Sequence, residues 1–336
     1  MVTLSVDMMS GDHGLGVTMP AVLDVLQHHQ DVKLILVGDE SEITEYLKDS
    51  SAANTERLSI HHASEVVEMT DSPANALRQK KDSSMRVAIN LVKSDESDAC
   101  VSAGNTGALM ATARFVLKTI SGIDRPAICA RLPRENGCTY MLDLGANIDS
   151  PPAILYQFGL MGSLLLKCLD GNEFPSVGLL NIGVEEIKGN TTIKDASDMF
   201  KKSPLNYIGF VEADDIYMGD TDLIVCDGFV GNVALKTSEG IAQMFMGATK
   251  KEFSRNILTK GAGLLARPVL NAIKNRLDHR RYNGASFLGL RGTVVKSHGN
   301  TDAVGFRYAI EVAIEEARSN LVNQIENALS STLSLA

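Results

Sequence analysis

Tryptophan is absent from these 336 residues, and aromatic side chains of all kinds make up only 5%. Stacking platforms for nucleic-acid bases need exposed aromatic rings, so single-strand binding is disfavoured. Basic charge is also in short supply: 32 Lys and Arg stand against 41 Asp and Glu, a formal net charge of −9 with pI near 5.3. A protein that wraps a duplex needs a basic face, so no nucleic-acid partner is expected. The five cysteines (Cys100, Cys129, Cys138, Cys168 and Cys226) are odd in number and include no C-x-x-C pair. Neither a disulfide framework nor a zinc ribbon follows; reduced thiols packing as small hydrophobes are expected. No run of 18 apolar residues occurs, and the opening MVTLSVDMMSGD lacks a basic leader region. The expectation is a cytoplasmic protein without a membrane span or secretory signal, any membrane contact being peripheral.

What is present is ordinary for a globular chain: 44% hydrophobic and 22% charged residues, which excludes disordered and collagen-like classes. No Pro-, Ser- or Gly-rich linker and no internal repeat divides it, so a single α/β domain over 1–336 is expected. Short aliphatic runs read as strands: TLSVD (3–7), KLILVG (33–38), LSIHHA (58–63), DACVSAG (98–104), AICARL (127–132), TYMLDLG (139–145), SVGLLNIG (176–183), YIGFVE (207–212) and LIVCDG (223–228). Amphipathic stretches of helical period separate most of them. Continuous apolar strands alternating with helices indicate a Rossmann-like αβα sandwich with a mainly parallel sheet.

Five of these strands end in Gly, Asn or Asp and run straight into a helix start: VDMMSGD, VSAGNTG, LDLGANID, LNIGVEE and VCDGFVGN. Helix N-termini at strand carboxyl ends present free N–H groups, so the recurrence points to one anion-binding crevice. Familiar fingerprints do not account for it. After the first strand Gly11, Gly14 and Gly16 are spaced G-x-x-G-x-G, the wrong order for a dinucleotide loop. Gly231 to Thr237 fails as a phosphate-binding P-loop because Leu235 replaces the second glycine. There is no G-x-S-x-G elbow and no H-E-x-x-H, and the adjacent pairs His28-His29 and His61-His62 point apart in any regular element.

The chemistry-bearing segments lie elsewhere. SAGNTGA places Ser102, Gly104, Asn105 and Thr106 at a strand-to-helix junction, where small residues let backbone amides approach an anion. CDGFVGNVALKTSEG repeats the idea with Asp227, Asn232 and Lys236; VVKSHGNTD offers Lys296, Ser297 and His298. A different region, 250–282, is strongly basic, with Arg267, Lys274, Arg276, Arg280 and Arg281 among its cations and Leu264, Leu265, Leu270 and Ile273 at helical spacing. Pro268 should begin or kink a second helix there. Two readings stay open: helices packed on the core or on a second copy, or an amphipathic surface for an anionic partner.

Together VDMMSGDHG, DSPANALRQKKDSSM, CVSAGNTGALMA, LDLGANID, LLNIGVEEIKGN, CDGFVGNVALKTSEG, RRYNGASFLGLRG and KSHGNTDA resemble the phosphate acyltransferase (PlsX) family of bacterial phospholipid synthesis over nearly the whole chain. One departure is visible: the family's first motif usually reads D-A-M-G-G-D, and Met8 and Ser10 replace the Ala and first Gly. The resemblance implies a fold similar to phosphotransacetylases and the isocitrate-dehydrogenase group, a homodimer, and no organic cofactor. It implies transfer of a long acyl group from acyl carrier protein to inorganic phosphate, the acyl phosphate then feeding a membrane glycerol-3-phosphate acyltransferase.

Under that resemblance Ser102, Asn105 and Thr106 with nearby amides are expected to hold phosphate. Lys188, Asn232 or His298 would stabilise the oxyanion or protonate the departing thiolate. Asp7, Asp12 and Asp227 would orient these donors, since bare carboxylates repel phosphate. Gly11, Gly104, Asn147, Asn181 and Lys236 complete the expected substrate-binding set. The basic segment would steer the acidic carrier through Lys274, Arg276, Arg280 and Arg281 and touch anionic lipid through Leu264, Leu265, Val269, Leu270 and Ile273. The rival classes are an NAD-linked decarboxylating dehydrogenase of related fold and a non-catalytic carrier or membrane scaffold.

Overall fold

The computed structural model describes residues 1–48, 56–276 and 278–333. Its spine is an eleven-stranded sheet in the order β3-β2-β1-β4-β11-β10-β5-β6-β9-β7-β8. All nine strands expected from the aliphatic runs form: β1 (Val2–Asp7), β2 (Val32–Gly38), β3 (Leu58–His62), β4 (Ala99–Ser102), β5 (Ala127–Arg134), β6 (Gly137–Leu142), β7 (Ser176–Leu180), β8 (Asn206–Val211) and β9 (Leu223–Val225). Two more lie near the C-terminus, β10 (Ala285–Leu288) and β11 (Thr293–Lys296). β10 escapes a pattern search because its four residues sit between Gly284 (φ 111°) and Gly289 (φ 89°), which read as turn.

The sheet is mainly parallel but not of one polarity. β3, β2, β1, β4 and β11 form one parallel block and β6, β9, β7 and β8 another; the central β10 is antiparallel to both β11 and β5, and β5 is antiparallel to β6. The blocks therefore run toward each other. Their register brings the carboxyl ends to one transverse line: Ser286 pairs with Val295 and with Cys129, Ala130 pairs with Met141, and Met141 pairs with Ile224. Helices cover both faces. α1 (Leu15–His28) packs on α12 (Ala303–Ser319) over one block, and α4 (Ser84–Lys93) packs on α5 (Thr106–Leu117) across the sheet.

α6 (Pro152–Asp170) is long and apolar enough to cross a bilayer by length and composition alone. Ile154, Leu155, Phe158, Met161, Leu165 and Leu166 are instead buried, and the helix packs on β9, α7 (Thr191–Lys201) and α13 (Leu321–Leu333). It serves as a core helix here. The cysteines are all free thiols; Cys100, Cys129 and Cys226 are buried, and burial pushes each thiol up.

A carboxyl is buried between α12 and β10. Glu316 of α12 is 2% exposed and accepts a hydrogen bond from the Ser286 hydroxyl on β10. Burial raises its carboxyl from the ordinary 4.5 to about 7. Folding therefore holds a proton that the unfolded chain releases: this contribution is complete below about pH 4.5 and is lost as pH rises through 7, a span worth about 3 kcal/mol. Glu316→Gln should remove that slope, so its thermal midpoint relative to the parent should be higher at pH 8 than at pH 5. Parallel midpoints across this range would contradict it.

Candidate active site

The site begins with a helix placed unusually close to a loop. α9 (Gly228–Phe253) is capped by Asp227, whose carboxylate accepts from the Val230 N–H at 2.8 Å. Its first turn contains two buried glycines for a steric reason. A Cβ on Gly231 would lie 1.9 Å from the Asp143 carbonyl oxygen, and one on Gly228 would lie 2.6 Å from the Asn147 carbonyl oxygen. This approach docks α9 on the loop that follows β6. That loop is wound around the Asp143 carboxylate, which accepts from the N–H groups of Ile128 (3.0 Å), Gly145 (3.2 Å), Ala146 (3.0 Å) and Asn147 (2.6 Å) and from the Asn147 amide (2.9 Å). Burial pushes the Asp143 carboxyl up, and these five bonds pull the other way.

So held, α9 projects Asn232, Leu235, Lys236, Glu239, Ala242 and Phe245 along one face at helical spacing. Opposite them β5 presents Ile128, Ala130 and Leu132; between the two lies a cavity of about 770 Å³. Its polar end is closed by Thr106 at the first position of α5 and by Lys296, Ser297 and His298 at the end of β11. Glu239 ties two of these groups together, accepting from Lys236 at 2.7 Å and standing 3.6 Å from the His298 ring. Lys296 is buried, and burial together with the neighbouring Lys236 charge lowers its ammonium to about 8, partly offset by Asp12 and Asp7.

Behind the polar end lies a second layer. Asp7, fully buried at the end of β1, accepts from the Ser102 hydroxyl at 2.7 Å, and burial pushes its carboxyl up. Ser102 accepts in turn from the Gly104 N–H at 3.1 Å. Ser10 donates to the Asp7 carbonyl oxygen at 3.1 Å and accepts from the Ala103 N–H at 2.9 Å, tying the loop after β1 to the loop after β4. The next residues dock on the 299 loop: the Asp12 N–H donates to the Gly299 carbonyl at 2.9 Å, and a Cβ on Gly11 would lie 3.0 Å from that oxygen.

Comparison with known proteins decides the family. A family described as "Fatty acid synthesis protein" matches residues 2–324. "Phosphate acyltransferase" of Methylococcus capsulatus is 57% identical over 325 residues, 97% of this chain and 96% of that protein. The protein of the same name from Nitrosococcus oceani is 56% identical over 333 residues, covering 99% and 98%. The chain belongs to the phosphate acyltransferase family. Among solved structures a phosphotransacetylase from Streptococcus pyogenes superposes with a TM-score of 0.64 at 15% identity, over 95% of this chain and 94% of that one, a likeness of fold. The α/β class expected from the strand pattern and the acyltransferase activity implied by the resemblance both stand.

Within this family member the expected site residues separate into groups. Thr106, Asn232, Lys236 and His298 line the cavity, as Lys296 and Ser297 do. Asp7, Ser102 and Gly104 form the layer behind; a Cβ on Gly104 would lie 2.4 Å from the Met85 methyl, so a larger residue there would have to displace that side chain. Asn105 does not offer its side chain to a ligand. Its carbonyl oxygen caps α5 by accepting from the Ala108 N–H at 2.9 Å, and its amide donates to the Met69 carbonyl at 2.7 Å. Asn147 is likewise committed to Asp143 and to the Pro126 carbonyl. Asn181 bonds the Gly183 carbonyl, and Lys188 is exposed on the same 181–190 loop, folded over Gly183 and outside the cavity lining.

The basic segment forms α10 (Ile257–Leu265) and α11 (Arg267–Arg276), with Pro268 opening the second helix as expected. No residue of α10 is buried, and its main packing among the described residues is against α9 and α11 rather than the core. Leu264, Leu265 and Val269 are exposed, Ile273 is near the border of exposure, and Leu270 is half-buried. Arg267 and Arg281 are exposed. Arg280 is not a free cation: it bonds Asp278 at 2.6 Å and Asp302 at 2.8 Å. The side chains of Lys274 and Arg276 lie outside the described residues.

The sequence reading passed over Asp143 and Glu239 and gave Lys296 no role. Asp143 follows a strand directly, like Asp7 and Asp227, which was a usable signal. Glu239 is seven residues beyond Asn232 on the same helix face.

The glycine argument is testable within one helix. Gly231→Ala should lower stability by several kcal/mol and abolish activity, because the added carbon meets backbone. Gly240→Ala on α9 meets nothing within 4 Å and should be neutral or stabilising by up to about 1 kcal/mol. Equal thermal midpoints for the two variants would contradict this account of α9.

Proposed function

We propose that this chain transfers a long-chain acyl group from the thioester of acyl carrier protein to inorganic phosphate, releasing acyl phosphate and the free carrier thiol. The observation that carries this reading is the continuity of one cavity. Its polar end, at Lys236, Glu239, Lys296 and His298, is continuous with a trench between β5 and α9 whose apolar lining includes Ile128, Leu132, Leu235, Ile241 and Phe245. From Asn232 to Phe245 the helix offers about 20 Å of length along that trench, enough for an extended acyl chain. A short polar acyl group has no use for Leu132, Leu235, Ile241 and Phe245.

The chemistry requires little more than placement. Phosphate is already an anion at neutral pH, so its oxygen needs positioning and removal from water rather than a serine or cysteine intermediary. Attack on the thioester carbonyl forms the O–C bond and puts charge on the carbonyl oxygen; collapse breaks the C–S bond, and the thiolate takes up a proton. Asn232, which lines the cavity, is the donor assigned to that oxyanion. His298, oriented by Glu239, is the proton source for the sulfur. The layer holding Asp7, Ser102 and Ser10 keeps the two loops in register.

The same reading includes a homodimer and reversible attachment to an anionic membrane surface, where a glycerol-3-phosphate acyltransferase takes the product. Exposed Leu264, Leu265 and Val269 beside Arg267 support the membrane contact. A single amphipathic segment binds weakly, so vesicle flotation should require anionic lipid and fall with salt.

Purified protein, palmitoyl-carrier thioester and phosphate, trapped afterwards with hydroxylamine, should give phosphate-dependent hydroxamate. Ala242→Trp should cut the rate on a 16-carbon acyl group at least tenfold more than on an 8-carbon one. An intact thioester alongside an active control enzyme would overturn the proposal, and an equal loss at both lengths would overturn the trench assignment.

A further inference from the structure

Buried cations in folded chains are ordinarily matched by a carboxylate, because an unpaired charge removed from water is costly. The exposed Lys236 has such a partner in Glu239. Lys296 does not. It is 8% exposed at the carboxyl end of β11, and among the described residues no carboxylate stands within 4.0 Å of its ammonium. Its Nζ donates to two backbone carbonyl oxygens, those of Ser297 and of Ala103 at 3.5 Å. The side chain nevertheless lines the polar end of the cavity beside Thr106, Ser297 and His298. A cation in that position has its charge balanced only when an anion enters.

We propose that Lys296 is the residue that binds the phosphate nucleophile, pairing with it directly as an ammonium ion while Thr106 fixes its orientation. This rests on the reading of the site as a phosphate-dependent acyltransferase. The neighbouring charges agree with it. Asp7 on β1 and Asp12 on the following loop favour the ammonium form without touching it, and Lys236 on α9 opposes that form. Glu239 is occupied by Lys236 and stands near His298, so it does not quench Lys296. The ammonium of the ligand-free protein loses its proton near pH 8, below the ordinary lysine value because of burial. A bound phosphate anion holds that proton in place, so phosphate affinity must fall as pH rises above 8.

The test measures the KM for phosphate against pH and, separately, calorimetric binding of inorganic phosphate without thioester. In the parent the phosphate KM should rise about tenfold per pH unit above pH 8, with the thioester KM changing little. Lys296→Met, which removes the charge and keeps the buried stem, should raise the phosphate KM at least tenfold at pH 7 and abolish the alkaline dependence. Lys296→Arg keeps a charge at every pH and should give a profile flat to pH 9. Thermal unfolding shows whether each variant is folded; if the Met variant is not, the Arg profile decides alone, and a retained alkaline rise overturns the proposal. Unchanged phosphate affinity in a folded Met variant also overturns it. If the parent makes no acyl phosphate, the acyltransferase reading fails instead, and the calorimetric comparison still tests Lys296 as an anion ligand.

Discussion

Two parallel strand blocks run toward each other and stop on a common transverse line, and the remaining features of the site depend on that register. The antiparallel pairing of β5 with β6 makes it possible: β10, antiparallel to both β11 and β5, leaves β5 running with the first block, and the turn into β6 reverses the second, so carboxyl ends from opposite directions meet. Helix N-termini that would otherwise lie at opposite ends of the sheet, those of α5 and α9, then face one space. The close seat of α9 on the Asp143 loop, which only glycine at 228 and 231 permits, converts that space into a bounded cavity.

Charge is distributed through this arrangement in layers. Carboxylates at strand ends are turned inward: Asp143 is consumed by five N–H donors, Asp7 is held by Ser102, and Asp227 caps α9. Each organises backbone and none presents bare negative charge where phosphate would sit. The side chains that do face the cavity at its polar end are Lys236, Lys296, Ser297, His298 and Thr106, with Glu239 among them paired to Lys236; the wall beyond includes Ile128, Ala130, Leu132, Leu235, Ile241 and Phe245, with Arg131, Arg134 and Glu135 also lining it. The proposed division of one cavity into an anion pocket and an acyl trench follows from where α9 turns from Asn232 and Lys236 to Ile241, Ala242 and Phe245.

Much of this was legible in the sequence because strand-to-helix junctions carry their own chemistry. The nine aliphatic runs, the glycine-rich starts of α5 and α9, and the segment around His298 were all visible, and the family followed from them in combination. What was not visible has physical causes. β10 is four residues long and bracketed by glycines in the left-handed region, so no periodicity marks it. Asn105 carries the same residue type whether it caps a helix or binds an anion, and only the 2.9 Å bond to Ala108 separates the two. Lys188 looked as suitable as Lys236 in its motif, but its loop folds away from the cavity. Lys296 was visible beside His298 but carried no assigned role, because burial, which no motif reports, is what makes it unusual. Ser10, where the family motif has glycine, adds a cross-loop bond that only three-dimensional proximity to Ala103 shows.

The most direct test of the central claim, that one cavity holds both the anion and the acyl chain, is a crystal structure of the protein with a long-chain alkyl phosphonate, an unreactive mimic of the acyl phosphate. The account predicts the phosphonate beside Lys296, Thr106 and His298, with the alkyl chain running between β5 and the Leu235–Phe245 face of α9. A phosphonate bound at the Lys188 loop, or an alkyl chain lying along α10 and α11, would contradict it.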